Sequence, residues 1–159
     1  MRQILTKLLN CLTGTCFLVM VLLTFGQVLM RYVFNSPLTW SEELVSYLFA
    51  WASLLGACLV TSERSHMNIP LLGQHLSPRG QRLLGVAGEA MALIFSLAIL
   101  CYGGLQIASL AMGQHTSSLG VSVGVFYVLM PVAGVLNGLF AALNIHDIWT
   151  GRLEAFPAE

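Results

Sequence analysis

Apolar positions along the chain fall into four long runs, at about 8–30, 44–62, 83–108 and 123–145, separated by short stretches where polar and charged residues gather. A hydrocarbon core of about 30 Å needs roughly 20 residues of helix, so each run is long enough to cross one. With the punctuation at their ends, the runs predict helices over about 8–30, 40–62, 78–111 and 123–147, all within one membrane domain spanning 1–159. Thr39-Trp40-Ser41-Glu42 has the spacing of a capping box opening the second helix. Ser77-Pro78 reads as the cap and first position of the third. Between these two helices, Met67, Ile69, Leu71, Leu72 and Leu76 predict a short interfacial helix. The first run is too long for a signal-peptide core and no small-residue cleavage site follows it before Arg31, so it is predicted to remain as an anchor.

Composition agrees with this pattern. Of 159 residues, 57% are apolar and only 9% charged, with a mean hydropathy of +0.80. Soluble domains carry about 25% charged residues, so the chain reads as an all-α membrane protein with four transmembrane helices. Seven basic residues balance seven acidic ones, which gives no argument for a nucleic-acid partner. The placement of the basic residues is more informative. Arg2, Lys7, Arg64, Arg79, Arg82 and Arg152 lie on one side of the predicted spans, and Arg31 alone lies on the other. The positive-inside bias then predicts cytoplasmic N- and C-termini. The four cysteines all sit inside apolar runs, where they read as small buried residues.

Helical spacing sorts the polar residues by face. Ser46, Ala50, Ser53 and Ala57 make a stripe of small side chains on the second helix, expected to pack against a neighbouring helix. Glu42 and Glu43 flank that line, while Trp40, Tyr47 and Trp51 form a second ridge. On the third helix Gly85, Glu89, Ala92, Ser96 and Gly103 share a face. Glu89 lies seven residues beyond Arg82, about 10 Å deeper at 1.5 Å per residue. A charge at that depth is costly, so Glu89 is expected to be neutral, paired or solvated. The fourth helix carries Gly134-Val-Leu-Asn-Gly138, extended by Ala141, with Asn137 and Asn144 beside it. Small residues with in-register amides predict close packing and interhelical hydrogen bonds. Pro131 is a candidate kink in this helix.

No Gly-rich phosphate loop, nucleophile elbow or Cys/His cluster with ligand spacing occurs, so the sequence calls for no cofactor, metal or catalytic group. Carriers with their own transport site usually show repeated halves and interrupted helices meeting at mid-membrane. Four helices read as uninterrupted, with no internal repeat, point instead to an accessory role. Arg31 and the pair Glu42–Glu43, facing each other across a short loop, are predicted to form an ion pair that clasps the first two helices.

Several of these residues also carry a resemblance. Arg31-Tyr-Val-Phe-Asn, then Trp40-Ser-Glu-Glu43-Leu, Phe49-Ala-Trp51, Leu55-Gly-Ala57 and His66 are similar to the small membrane subunit of tripartite ATP-independent periplasmic (TRAP) transporters. Leu119-Gly-Val-Ser-Val-Gly-Val-Phe-Tyr127 and Met130-Pro131 resemble that family's entry into its fourth helix. The similar region covers about 28–134, with one departure at Pro70, where the family tends to carry an acidic residue. The resemblance implies a multi-pass subunit of the bacterial or archaeal inner membrane. Its partners would be a large multi-helix membrane subunit and a periplasmic substrate-binding protein, with membrane lipid around it. The implied role is bracing the scaffold of a sodium-driven transporter for organic acids and helping to dock the binding protein. Arg31, Trp40, Glu42, Glu43, Tyr47, Trp51, His66, Glu89, Pro131, Gly134, Asn137 and Gly138 are then structural or subunit-interface candidates. Two alternatives stay open on the residues alone: a stand-alone small proton-coupled exporter using Glu89, and a redox or quinone-handling membrane protein.

Overall fold

The computed structural model describes residues 2–63 and 78–150. His66 and the interfacial helix expected over 67–76 lie outside the described residues. Four stretches are long and apolar enough to cross a membrane: Arg2–Tyr32, Thr39–Glu63, Arg79–Ala111 and Val123–Trp149. The first two are the continuous helices α1 (Arg2–Tyr32) and α2 (Thr39–Glu63). The third is α3 (Pro78–Phe95), a π-helical stretch (Ser96–Gly103) and α4 (Gly104–Ala111). The fourth is a short α5 (Val123–Tyr127) and, after Val128, α6 (Leu129–Trp149).

The third and fourth spans are each continuous over membrane length, as the sequence pattern suggested, but change helical register along the way. Pro131 explains the change in the fourth. Its ring lacks an N–H and crowds the carbonyl four residues back, that of Tyr127, the last residue of α5. The Val128 N–H closes the short helix on the Gly124 carbonyl at 3.1 Å. In the third span the π-helical stretch opens at Ser96 and ends at the Gly103-Gly104 pair, and α6 packs on it as well as on α3.

That packing is tight. A Cβ placed on Gly134 would lie 2.8 Å from the Leu100 Cβ and 2.9 Å from the Cys101 backbone nitrogen. One on Gly104 would lie 3.0 Å from both the Met130 Cβ and the Pro131 Cδ, and one on Gly124 would lie 2.7 Å from the Ala108 carbonyl oxygen. Helices in lipid gain little from apolar burial, so backbone approach of this kind is a main source of association.

Helix α6 is the hub. It packs on α2 along one side and on α3 and the π-helical stretch along the other, while α1 packs on α2. Ala133, Phe140, Ala141 and Ile148 of α6 are fully buried, and Phe140 and Ala133 join Leu9, Leu55 and Cys58 in one apolar cluster. Leu9 is the one buried residue of α1; Phe17, Leu22 and Phe25 are exposed along its length. On the other flank Leu83, Met91, Tyr102, Leu105 and Leu110 are exposed. Such faces suit hydrocarbon or another protein, and not water.

One expected packing face is corrected. Ser46, Ala50, Ser53 and Ala57 are all exposed, and α2 instead buries Ser41, Leu55, Cys58, Thr61 and Ser62. The reason is hydrogen bonding across the seam. Toward α6 the chosen face offers the Cys58 thiol, which donates to the Ala133 carbonyl at 3.3 Å, whereas Ser46 and Ser53 spend their hydroxyls on their own helix at Glu42 and Phe49.

The two glycines of the expected GxxxG motif differ in what they tolerate. A Cβ on Gly138 would meet Leu93 at 3.6 Å, an ordinary contact. Gly134→Ala is expected to destabilise the fold by about 1–3 kcal/mol through overpacking. Gly138→Ala should be close to neutral, and thermal melts of both variants in mild detergent would compare them.

Candidate functional site

At the end of the bundle away from the termini, α1 stops in a turn. Asn35 adopts a left-handed backbone (φ 50°), a conformation that asparagine tolerates better than most residues. It brings the Ser36 N–H back to the Met30 carbonyl at 3.0 Å, and Pro37 follows before α2 begins. The turn sets Arg31 beside the first turn of α2, where its guanidinium donates to Glu42 Oε1 at 2.9 Å. Both side chains are more than half exposed (58% and 59%), so this ion pair lies in the range of about 0–1 kcal/mol. Glu42 thus turns to Arg31 across the loop, and Ser41 donates to the Leu38 carbonyl at 2.8 Å.

Glu43 does something different. Its carboxylate accepts three consecutive backbone N–H groups from the loop between α4 and α5: Ser117 at 3.2 Å, Ser118 at 3.0 Å and Leu119 at 3.3 Å. Successive amides converging on one anion form a nest, a backbone device that suits negative charge. The loop is internally ordered as well. Thr116 and Val121 bond through the backbone at 2.9 Å, and the Thr116 hydroxyl accepts the Val121 N–H at 3.1 Å. Gly120 (φ 67°) supplies the reversal between them. Glu43 therefore locks the far loop onto α2 while Arg31 and Glu42 join α1 to α2.

One turn and two turns further along α2, Tyr47 and Trp51 face the fourth span. Tyr47 stacks on Phe126 with ring centroids 3.9 Å apart and planes within 7°. The Trp51 indole N–H donates to the Phe126 carbonyl at 2.9 Å. Trp51 thus reaches the backbone of α5 just ahead of the break that Pro131 imposes. Trp40 is partly exposed in the first turn of α2.

Toward the other end lies a buried polar node. Glu89 is only 3% exposed, and its Oε1 accepts the Asn144 amide N–H at 2.9 Å. The same amide nitrogen donates to the Thr61 carbonyl at 3.0 Å, so Asn144 joins α6 to α2 and α3 at once. Two turns away the Asn137 amide donates to the Ser96 hydroxyl at 2.9 Å, and Ser96 donates to the Ala92 carbonyl at 2.7 Å. The amide oxygens of Asn137 and Asn144 meet no hydrogen-bond donor among the described residues. A half-satisfied buried amide costs stability, so the node's main effect is to fix the rotation of α6 between its neighbours.

Residues that sequence reasoning passed over close the bundle beside this node. The Arg2 guanidinium donates to the Ser62 carbonyl and lies 3.6 Å from Asp147. Thr6 and Ser62 share a hydrogen bond of 2.7 Å. A cation at the C-terminus of α2 also meets the negative end of its helix dipole. The sequence signal was present: Arg2 and Asp147 are opposite charges on the predicted same side.

Arg2, Arg31, Glu43, Trp51, Cys58, Asn137 and Asn144 each tie helix to helix or helix to loop. Comparisons with known proteins give the family. The family model described as tripartite ATP-independent periplasmic transporters, DctQ component, matches residues 20–151. The chain belongs to this family. A putative TRAP transporter small permease protein of Haemophilus influenzae strain Rd is 31% identical, over 86% of this chain and 84% of its own length. The sialic acid TRAP transporter small permease protein SiaQ of Vibrio cholerae is 27% identical over 85% of this chain and 78% of its own length. The sialic acid TRAP transporter permease protein SiaT of Haemophilus influenzae strain 86-028NP is 28% identical over 82% of this chain, yet that region is only 21% of SiaT. The chain is a TRAP small permease subunit of the inner membrane.

Three outcomes follow for this DctQ-type chain. Glu43→Ala should speed amide hydrogen exchange at Ser117, Ser118 and Leu119, whereas Glu42→Ala should leave those amides protected. A double-mutant cycle should couple Arg31 to Glu42 by no more than about 1 kcal/mol and leave Arg31 and Glu43 additive. Glu89→Gln, which keeps an acceptor for Asn144, should retain the fold, and Asn144→Leu should lose about 1–3 kcal/mol on denaturant or thermal unfolding.

Proposed function

We propose that this chain braces the stationary scaffold of a sodium-driven TRAP transporter for an organic acid. It would do so beside a large membrane subunit, with a periplasmic binding protein docking above. The observation that carries the reading is the SiaT relative, in which the region matching this chain is joined to a remainder almost four times as large. A module that occurs fused to a larger permease in one protein and alone in another is one that works beside it. The structure supports a bracing role, because its buried polar groups cross-link helices. The relatives named for sialic acid and C4-dicarboxylates support an organic acid as cargo.

In this reading the termini are cytoplasmic, as the basic residues suggest, and the Glu43-bound loop faces the periplasm. The exposed small residues of α2 are the face best suited to a partner helix. Beside them α1 and α2 leave an open groove of about 480 Å³, lined in part by Gly14, Phe17, Phe49 and Ser53. A Cβ on Gly14 would touch nothing within 4 Å, so the groove floor has room for a side chain from outside.

Purification in mild detergent from the native host should bring down a large multi-helix subunit, and transport in proteoliposomes should fail without this chain. A photo-crosslinker at Ser53 should capture the large subunit more strongly than one at Leu105 on the α4 flank. Recovery of a self-sufficient homodimer that moves cations would overturn the reading.

A further inference from the structure

Between the first turns of α3 and the last turn of α6, at the end that carries the termini, lies a cleft of about 220 Å³. Its lining is Arg79, Arg82, Leu83, Val86, Ile148 and Trp149. At about 30 Å³ per water, it holds the volume of about seven waters, or a comparable length of another molecule. The two arginines are three residues apart and share one side of α3. Both are exposed, and among the described residues neither has a carboxylate within ion-pairing distance. The nearest acid on α6, Asp147, is engaged elsewhere, with Arg2 at 3.6 Å and His146 at 3.6 Å.

The rest of the cleft is apolar, and Trp149 at its rim is among the most exposed large side chains of the protein (77%). Tryptophan at the end of a spanning helix marks the level of the headgroups. Two guanidiniums without an ion-pair partner among the described residues, beside a mostly apolar slot, have the chemistry of one kind of ligand. We propose that this cleft binds an anionic phospholipid. Its phosphate sits on Arg79 and Arg82, and the start of an acyl chain lies against Leu83, Val86 and Trp149. Guanidinium pairs phosphate oxygens bidentately, and basic pockets between membrane helices hold such headgroups elsewhere. Function follows from position: a lipid seated there would hold α3 and α6 together beside the Glu89–Asn144 node. The inference stands on this chain alone and does not depend on which partner or substrate the transporter has.

Native mass spectrometry of the purified chain from mixed micelles tests it, with phosphatidylglycerol, phosphatidylcholine and inorganic phosphate as separate probes. Phosphatidylglycerol should bind, phosphatidylcholine should bind at least tenfold more weakly, and inorganic phosphate should neither bind nor compete. Arg79→Gln or Arg82→Gln should weaken phosphatidylglycerol about fivefold, and the double variant about thirtyfold. Equal binding of both lipids, an unaffected double variant, or competition by free phosphate would overturn the proposal. Should the double variant not fold, photoactivatable phosphatidylglycerol on the unmodified protein decides the question. Labelling at Leu83, Val86 or Trp149 supports the site, and labelling only elsewhere removes it.

Discussion

Within a bilayer, apolar side chains gain nothing by leaving lipid for each other, so helices must be held by contact distance and by hydrogen bonds. The rest of this structure depends on that constraint at one place, the passage of α6 across the π-helical part of the third span. There Gly134 and Gly104 let backbone meet backbone, and Pro131 packs against Gly104 where a side chain would stand. Because α6 is held so closely on that side, its opposite face is fixed toward α2. The Cys58, Trp51 and Asn144 hydrogen bonds then fall into register along one seam. The outward faces of α1 and of the third span keep exposed apolar side chains.

The spans, their order and the polar faces of the third and fourth helices were legible in the sequence, because hydropathy and 3.6-residue spacing report directly on lipid exposure. Gly85, Glu89 and Ser96 do face inward, as their spacing indicated. What was not legible is the choice between faces that look alike. The small stripe of α2 and its buried face both offer short side chains. The choice rests on which residues of α5 and α6 the face meets, a tertiary fact that no local window contains. The same limit hid the roles of the two adjacent glutamates. They are neighbours near the start of α2, yet one meets an arginine eleven residues back and the other meets backbone amides more than seventy residues ahead.

The two register changes show how far a local rule carries. Pro131 announced a kink, and the break occurs where its ring meets the preceding turn. The π-helical stretch had no such herald. A serine opens it, glycines close it, and α6 lies against it. Its amide and hydroxyl contacts, Asn137 to Ser96 and Ser96 to Ala92, are as much a product of the crossing as a support for it.

The loop that Glu43 holds has a further property. Between Gly113 and Ser122 there is no lysine, arginine, aspartate or glutamate, and the carboxylate beneath is consumed by the loop's own backbone. The surface it presents is made of the Ser117 and Ser118 hydroxyls, the Gln114 amide, the His115 imidazole and peptide edges, held by a carboxylate whose oxygens accept the loop's own N–H groups. A protein settling on such a surface is selected by fit, because there is little field to steer it or for dissolved ions to screen. Contact at this loop would change little with ionic strength, and long-range attraction, if an encounter needs it, must come from another part of the protein.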